Sequence, residues 1–294
     1  MAWSPDGQFL AVGSSDRTLK LLRADTGEVV SILTTNSADW NVSVAFSHDG
    51  NGLAVGGIRR PVTFWDVRDG RLLFTLTNYV QARVACSPVA PLMAVGTGGD
   101  WWGQKGSNVY LVDIHSGKEV RVLPQAGDRA VFSRDGKRLA TANNGSWATT
   151  QYVVLWDVDS GEKLHVLAEQ RQVLGMACSP DGNLLAFGTR YGDVTLWNLN
   201  DFSHSTLREA TGDYARSVTF SPDGRWLAVG MLTQEVEIWD VETRRLVKRL
   251  RGHTWDVNAV SYSPDGAQLA SGCLDGTIRI WDPHPPTIQK LMPE

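Results

Sequence analysis

The sequence predicts an all-β fold, a seven-bladed β-propeller of four-stranded antiparallel blades, and three observations carry that prediction. A short turn sequence recurs seven times at a nearly constant interval. The stretches between recurrences alternate apolar and polar residues with a period of two. No window shows the sustained apolar stripe, recurring every three to four residues, that a helix requires.

Ser-Pro-Asp-Gly starts at Ser4, Ser179, Ser221 and Ser263, with Ser-His-Asp-Gly at Ser47, Ser-Arg-Asp-Gly at Ser133 and a degenerate Ser-Pro-Val-Ala at Ser87. Successive starts lie 43, 40, 46, 46, 42 and 42 residues apart. Each turn leads into an apolar run such as Leu10-Ala11-Val12-Gly13 or Leu227-Ala228-Val229-Gly230. An alternating segment follows and closes on an aromatic–acid pair, as in Val62-Thr63-Phe64-Trp65-Asp66 and Ile278-Arg279-Ile280-Trp281-Asp282. A further turn, such as Ser160-Gly161, opens a fourth segment such as Lys163-Leu164-His165-Val166-Leu167. Short alternating runs punctuated by turn residues read as four strands per repeat. A lone four-stranded sheet cannot bury both faces, so the seven stack radially and each covers the next. Segments just before the turns, such as Val44-Ala45-Phe46 and Val84-Ala85-Cys86, form the innermost strands. The expected blades are residues 1–34, 35–77, 78–123, 124–167, 168–207, 208–250 and 251–294 of a single domain.

The ends depart from the pattern. Met1 falls where Val44, Val84, Val218 and Val260 fall in other repeats, so blade one is expected to be incomplete at its N-terminus. Pro286-Thr287-Ile288-Gln289-Lys290-Leu291 stands at the distance from Trp281 expected of an outer strand. Two explanations stand: the chain is a piece of a longer protein, which is the preferred expectation, or the ring closes by face packing alone.

Composition narrows the function classes. Net charge is -4 and charged residues make up 20% of the chain, so no positive surface is evident to displace the counterions of nucleic acid. Arg59-Arg60 and Arg244-Arg245 read as solvated turn charges. Cys86 and Cys178 directly precede the turn where phenylalanine or tyrosine stands elsewhere, and read as buried hydrophobes. With Cys273 they suit a reducing compartment. No signal peptide and no apolar run long enough to span a bilayer are evident, so the expectations are a cytoplasmic location and no membrane association.

The pattern resembles the WD-repeat family over essentially the whole chain. Repeat seven carries the resemblance in most detail, with Gly252-His253, Ser271, Asp275 and Trp281-Asp282. The resemblance implies a structural, hydrogen-bonded tetrad of His253, Ser271, Asp275 and Trp281, which is no active site despite its Ser, His and Asp. Trp65, Trp156, Trp197 and Trp239 keep the third-strand tryptophan, but Leu22 and Val112 replace it in repeats one and three. Those other blades are expected to rely on packing, giving uneven stability around the ring.

In that family the loops entering the innermost strand and the loops joining the second and third strands share one face. Two of the latter are long here, 98–108 in repeat three and 143–151 in repeat four. Trp40, Trp101, Trp102, Trp147 and Trp255 map to loops of this face, as do Tyr79 and Tyr214. Arg83, Arg129, Arg171 and Arg216 stand at or near the mouths of the inner strands. Tryptophan, tyrosine and arginine dominate binding hot spots, so Trp40, Tyr79, Trp101, Trp102, Trp147, Tyr214, Arg216 and Trp255 are the candidate partner-binding residues. Against this stands a packing alternative: long loops bury their own aromatics, and the arginines pair with Asp39, Asp128, Asp213 and Asp256.

No catalytic constellation emerges. His48, His115, His165, His204, His253 and His284 are dispersed, the first two on the opposite face and the next two on outer strands. No metal, nucleotide or other cofactor is expected, because no three of these histidines converge as zinc requires and no glycine-rich loop opens a helix. The expected function is a non-catalytic, monomeric scaffold that binds a partner protein or peptide on the loop face. The alternative is a sensory or autoinhibitory propeller domain of a larger signalling protein, a kinase or nucleotide-binding receptor, reading a small ligand. A weaker third reading, a periplasmic propeller resembling the TolB type, rests on Ala2-Trp3-Ser4-Pro5-Asp6-Gly7 and is opposed by the Trp-Asp pairs.

Overall fold

The seven recurrences become seven antiparallel sheets arranged as a closed propeller, seen in a computed structural model that describes every residue except 15–17, 35–42, 58–59, 80–81, 99–106, 143–150, 171 and 285–294. Six sheets have four strands paired in chain order. Blade six is representative, with strands Ala215–Phe220, Trp226–Met231, Glu235–Asp240 and Arg245–Arg251. Blade seven shows three, Val257–Tyr262, Leu269–Cys273 and Ile278–Trp281; the expected outer strand at 286–291 lies outside the described residues. Blade one begins with an inner strand of two residues, Ala2–Trp3, paired to Leu10 and Ala11.

The recurring tetrapeptide is a self-contained turn. In six repeats the serine carbonyl accepts the glycine N–H, while the serine hydroxyl donates to the aspartate, 2.5 Å away at Ser4. The aspartate also accepts the amide two residues on, as Asp6 does from Gln8. These bonds hold the Asp6, Asp135 and Asp265 carboxyls below the usual range. Gly7, Gly50, Gly136, Gly182, Gly224 and Gly266 all have φ of +70 to +74°, which a Cβ would strain. Four of the turns also lay their proline against the glycine of the next blade's turn. Pro5 rests on Gly50, Pro180 on Gly224, Pro222 on Gly266, and Pro264 of blade seven on Gly7 of blade one.

The core lies between blades, not within them. The buried apolar residues divide into seven clusters, and each fills one junction between neighbouring blades. Between blades six and seven, for example, Trp226, Val236, Ile238 and Leu250 meet Val257, Val260, Tyr262 and Leu269. The junction of blades seven and one is the smallest, with only Trp3, Leu10 and Ala270 buried in its cluster among the described residues. Trp3 Nε1 donates across it to the Ser261 carbonyl at 2.9 Å. The glycines that end several second strands serve the same packing. A Cβ at Gly96 would stand 2.5 Å from the Asp128 carbonyl oxygen, and one at Gly188 would stand 2.8 Å from that of Ala215. All three cysteines are unpaired thiols, and burial pushes Cys86 and Cys178 up to about 12.

Candidate functional site

Each inner strand runs away from one face and ends at its serine turn on the other. The loops entering the inner strands and the loops between second and third strands therefore lie together. In blades five, six and seven a backbone bond ties these two loops: Arg190 N–H to Gln172, Leu232 N–H to Tyr214 and Leu274 N–H to Asp256, each at 3.0 Å. The same three blades carry a β-bulge in the inner strand, which inserts Leu174, Arg216 or Asn258 into the pairing. Blades three and four pair continuously at that level. A bulge re-aims the residue it inserts, and here it turns Arg216 out of the ladder.

Arg216 lies over the Tyr214 ring, 5.8 Å from its centroid, and its Nη2 reaches Asp256 of the next blade at 3.5 Å. Arg190 takes the other approach to Tyr214, with its Nε donating to the hydroxyl at 2.9 Å and its Nη1 to Gln172 at 2.9 Å. Trp255 is 60% exposed and Tyr191 44% exposed. These aromatic and cationic residues stand on adjoining loops of blades five to seven, linked through the Arg190–Tyr214, Tyr214–Arg216 and Arg216–Asp256 contacts. Arg190 and Tyr191 were not among the sequence candidates. Their signal is positional: Arg190-Tyr191-Gly192 occupies the place in repeat five that Leu274-Asp275-Gly276 occupies in repeat seven.

Tyr79 sits apart from that surface. Its ring packs 4.6 Å from Tyr110, and its hydroxyl donates to Glu119 at 2.8 Å, so it belongs to the junction of blades two and three. Trp40, Trp101, Trp102 and Trp147, with Asp39 and Arg171, lie outside the described residues. The neck of the long loop in blade three is described, and Thr97 closes it by donating its N–H to the Asn108 carbonyl at 2.8 Å.

The arginines near the inner strands are partly paired. Arg83 Nε meets Asp128 at 3.2 Å and joins blade three to blade four, as Arg216 joins six to seven. Asp213 accepts from Thr211 at 3.3 Å. Arg129 is half-buried, and its Nε is fully buried without a hydrogen-bond partner.

Blade seven assembles the tetrad. His253 Nε2 lies 2.6 Å from Ser271 Oγ, and Trp281 Nε1 donates to that same oxygen at 2.7 Å. His253 Nδ1 faces Thr277 at 3.1 Å and Asp275 at 3.5 Å. Asp275 is itself filled by the amides and hydroxyls of Thr254 and Thr277. Desolvation pushes its carboxyl upward, but those bonds outweigh it and hold the group well below the usual range. Burial lowers the His253 imidazole against the upward pull of Asp275. Cys273 places its sulfur with a His253 nitrogen and an Asp275 oxygen within 4.8 Å of one another. The carboxylate of that trio is already committed to four donors, so the arrangement serves the turn.

The tetrad is seen in blade seven, and three of the other blades add a single indole hydrogen bond to their packing. Trp65 Nε1 donates to Thr63 at 2.9 Å, Trp156 Nε1 to Thr141 at 2.8 Å and Trp239 Nε1 to Glu237 at 3.0 Å. A buried indole N–H needs an acceptor, and these repeats find one in their own second or third strand. Trp197 Nε1 has no partner and stacks on His204 at 4.6 Å. On the opposite face, His48 and His115 line a pocket of about 290 Å³ with Asp49, Asp66, Phe64 and Phe74.

Comparison with known proteins agrees with this geometry. The model of the WD domain, G-beta repeat, matches residues 244–282, and that of the anaphase-promoting complex subunit 4 WD40 domain matches residues 1–43 and 176–255. The chain belongs to the WD-repeat family. The WD-repeat ring is 23% identical over 233 residues to minichromosome loss protein 1 of Schizosaccharomyces pombe, a match covering 74% of this chain and 27% of that protein. It is 31% identical over 206 residues to periodic tryptophan protein 2 of Arabidopsis thaliana, covering 67% of this chain and 21% of that one. The chain thus spans about a quarter of the length of these relatives. Among solved structures, a chain of Kuenenia stuttgartiensis hydrazine synthase superposes with a TM-score of 0.81 over 95% of this chain and 94% of that one. At 17% identity that likeness concerns the fold alone.

Proposed function

We propose that the ring is a non-catalytic scaffold that binds a partner protein or peptide on its loop face. The observation that carries this reading is the surface over blades five to seven. There an exposed Trp255 and Tyr191 flank Tyr214, which is held between Arg190 and Arg216. Exposed aromatics beside arginines supply the large, rigid contact area of a binding hot spot. The name of one matching model, a subunit of the anaphase-promoting complex, supports a role within an assembly. Cytoplasmic residence and a monomeric ring complete the proposal.

The test is capture by crosslinking from native lysate. A Trp255→Ala/Tyr191→Ala double variant should lose most of the captured partner while keeping the melting temperature of the native chain. A Leu73→Ala/Val89→Ala variant, changed away from that surface, should retain it. The reverse pattern would place binding elsewhere. A second reading has one observation in its favour: both relatives are several times longer than the stretch they share with this chain. On that reading the propeller is a sensory or autoinhibitory module of a larger protein, and its captured partner is a segment of that same protein.

A further inference from the structure

We infer that the loop-face mouth of the central channel binds an oxyanion, the carboxylate of an acidic side chain on the partner, through the guanidinium of Arg129 flanked by Arg83 and Arg216. The inference rests on the loop-face reading and specifies what the partner presents there.

The placement comes from register. Arg129 opens the inner strand of blade four opposite Ala142, and Arg83 stands one pair from the start of the inner strand of blade three, opposite Gly96. Arg216 fills the bulge at the same level of blade six. The inner strands line the channel, so this register sets the three arginines at one level of its loop-face end.

The charges do not balance. Arg83 has Asp128 and Arg216 has Asp256, while Arg129 has no carboxylate partner among the described residues. Buried Nε groups of both Arg129 and Arg216 lack acceptors. Burial, and then the positive charge of Arg83, disfavours the charged form of Arg129, with Asp128 offsetting only part of this. An uncompensated half-buried cation is costly, and an incoming carboxylate reduces that cost while accepting the two parallel N–H bonds of the guanidinium fork. The same mouth also holds buried acceptors without partners, Asp128 Oδ1 and Asn258 Oδ1, but both carboxylates described there, Asp128 and Asp256, already hold an arginine.

Calorimetric titration at fixed ionic strength tests the inference, with hexaglutamate, hexaglutamine and inorganic phosphate as probes. We expect hexaglutamate to bind and raise the melting temperature, and hexaglutamine to do neither. Arg129→Met should bind hexaglutamate at least roughly tenfold more weakly and, without ligand, melt higher than the native chain because the unpaired charge is gone. Arg129→Lys keeps the charge but loses the fork, and should bind with intermediate affinity; it also serves if the methionine variant does not fold. Equal hexaglutamate binding by native and variant chains would overturn the inference, as would equal binding of hexaglutamate and hexaglutamine. Binding of phosphate alone would overturn the carboxylate assignment. If Arg129→Met still captures the lysate partner and Trp255→Ala/Tyr191→Ala does not, the scaffold reading stands and this inference fails.

Discussion

At the scale of single residues, the tryptophans and His253 show how one structural role is filled by different chemistry. Five third-strand indoles sit in equivalent places, yet Ser271, Thr63, Thr141 and Glu237 supply their acceptors and Trp197 has none. Glu237 is nearly fully buried, and its charge is met by Arg208 at 3.0 Å and Arg249 at 3.4 Å. His253 makes blade seven sensitive to acid. Its folded-state pKa lies below the ordinary value because burial disfavours the imidazolium. The unfolded chain gains a proton near pH ~6.5 while the folded chain resists, so stability is full above that value and falls as pH drops below it. The melting temperature should therefore fall between about pH 7.5 and about pH 5.5, and more steeply in the native chain than in His253→Asn. Equal slopes would show that the imidazole does not carry the effect. The tetrad was legible because His253, Ser271, Asp275 and Trp281 stand at family spacing. The substitute acceptors were not, because a threonine two residues before a tryptophan looks like any alternating strand position.

At the scale of elements, the turn and the glycine nine residues after its serine do separate jobs. The Ser-Asp-Gly turn closes its own hairpin by local bonds, which is why its period could be read directly from the chain. The second-strand glycine instead makes room for the neighbouring blade. Gly188→Ala would press a methyl against Ala215, and should cost roughly 1–3 kcal/mol, measured by denaturant midpoint at unchanged m-value. A cost within error would mean that the blades part easily at this level. The bulges of blades five to seven were invisible in the sequence. Leu174, Arg216 and Asn258 each interrupt the alternation by one residue, and a single interruption is indistinguishable from a shifted strand end until the partner strand is known. The same holds for the Arg83–Asp128 pair: the sequence put both residues on the loop face, but only stacked blades bring them to 3.2 Å.

At the scale of the whole molecule, stability is a sum over seven junctions, and they are unequal. The seam between blades seven and one buries three apolar side chains among the described residues, where the others bury at least eight. Opening should begin there. Trp3→Ala removes the largest of the three and should destabilise the chain by roughly 3–5 kcal/mol, with amide exchange accelerating first in blades one and seven. Uniform acceleration around the ring would show that the seam is no weaker than its neighbours. The bulges have a different consequence at this scale. A ring of seven interchangeable blades would offer a docking partner seven rotational settings of nearly equal energy, and a complex spread over them would have no defined geometry. Three consecutive blades with displaced inner strands break that degeneracy, so the molecule has a compass bearing: a partner that engages Arg216 and Tyr214 finds its matching surroundings at one setting only.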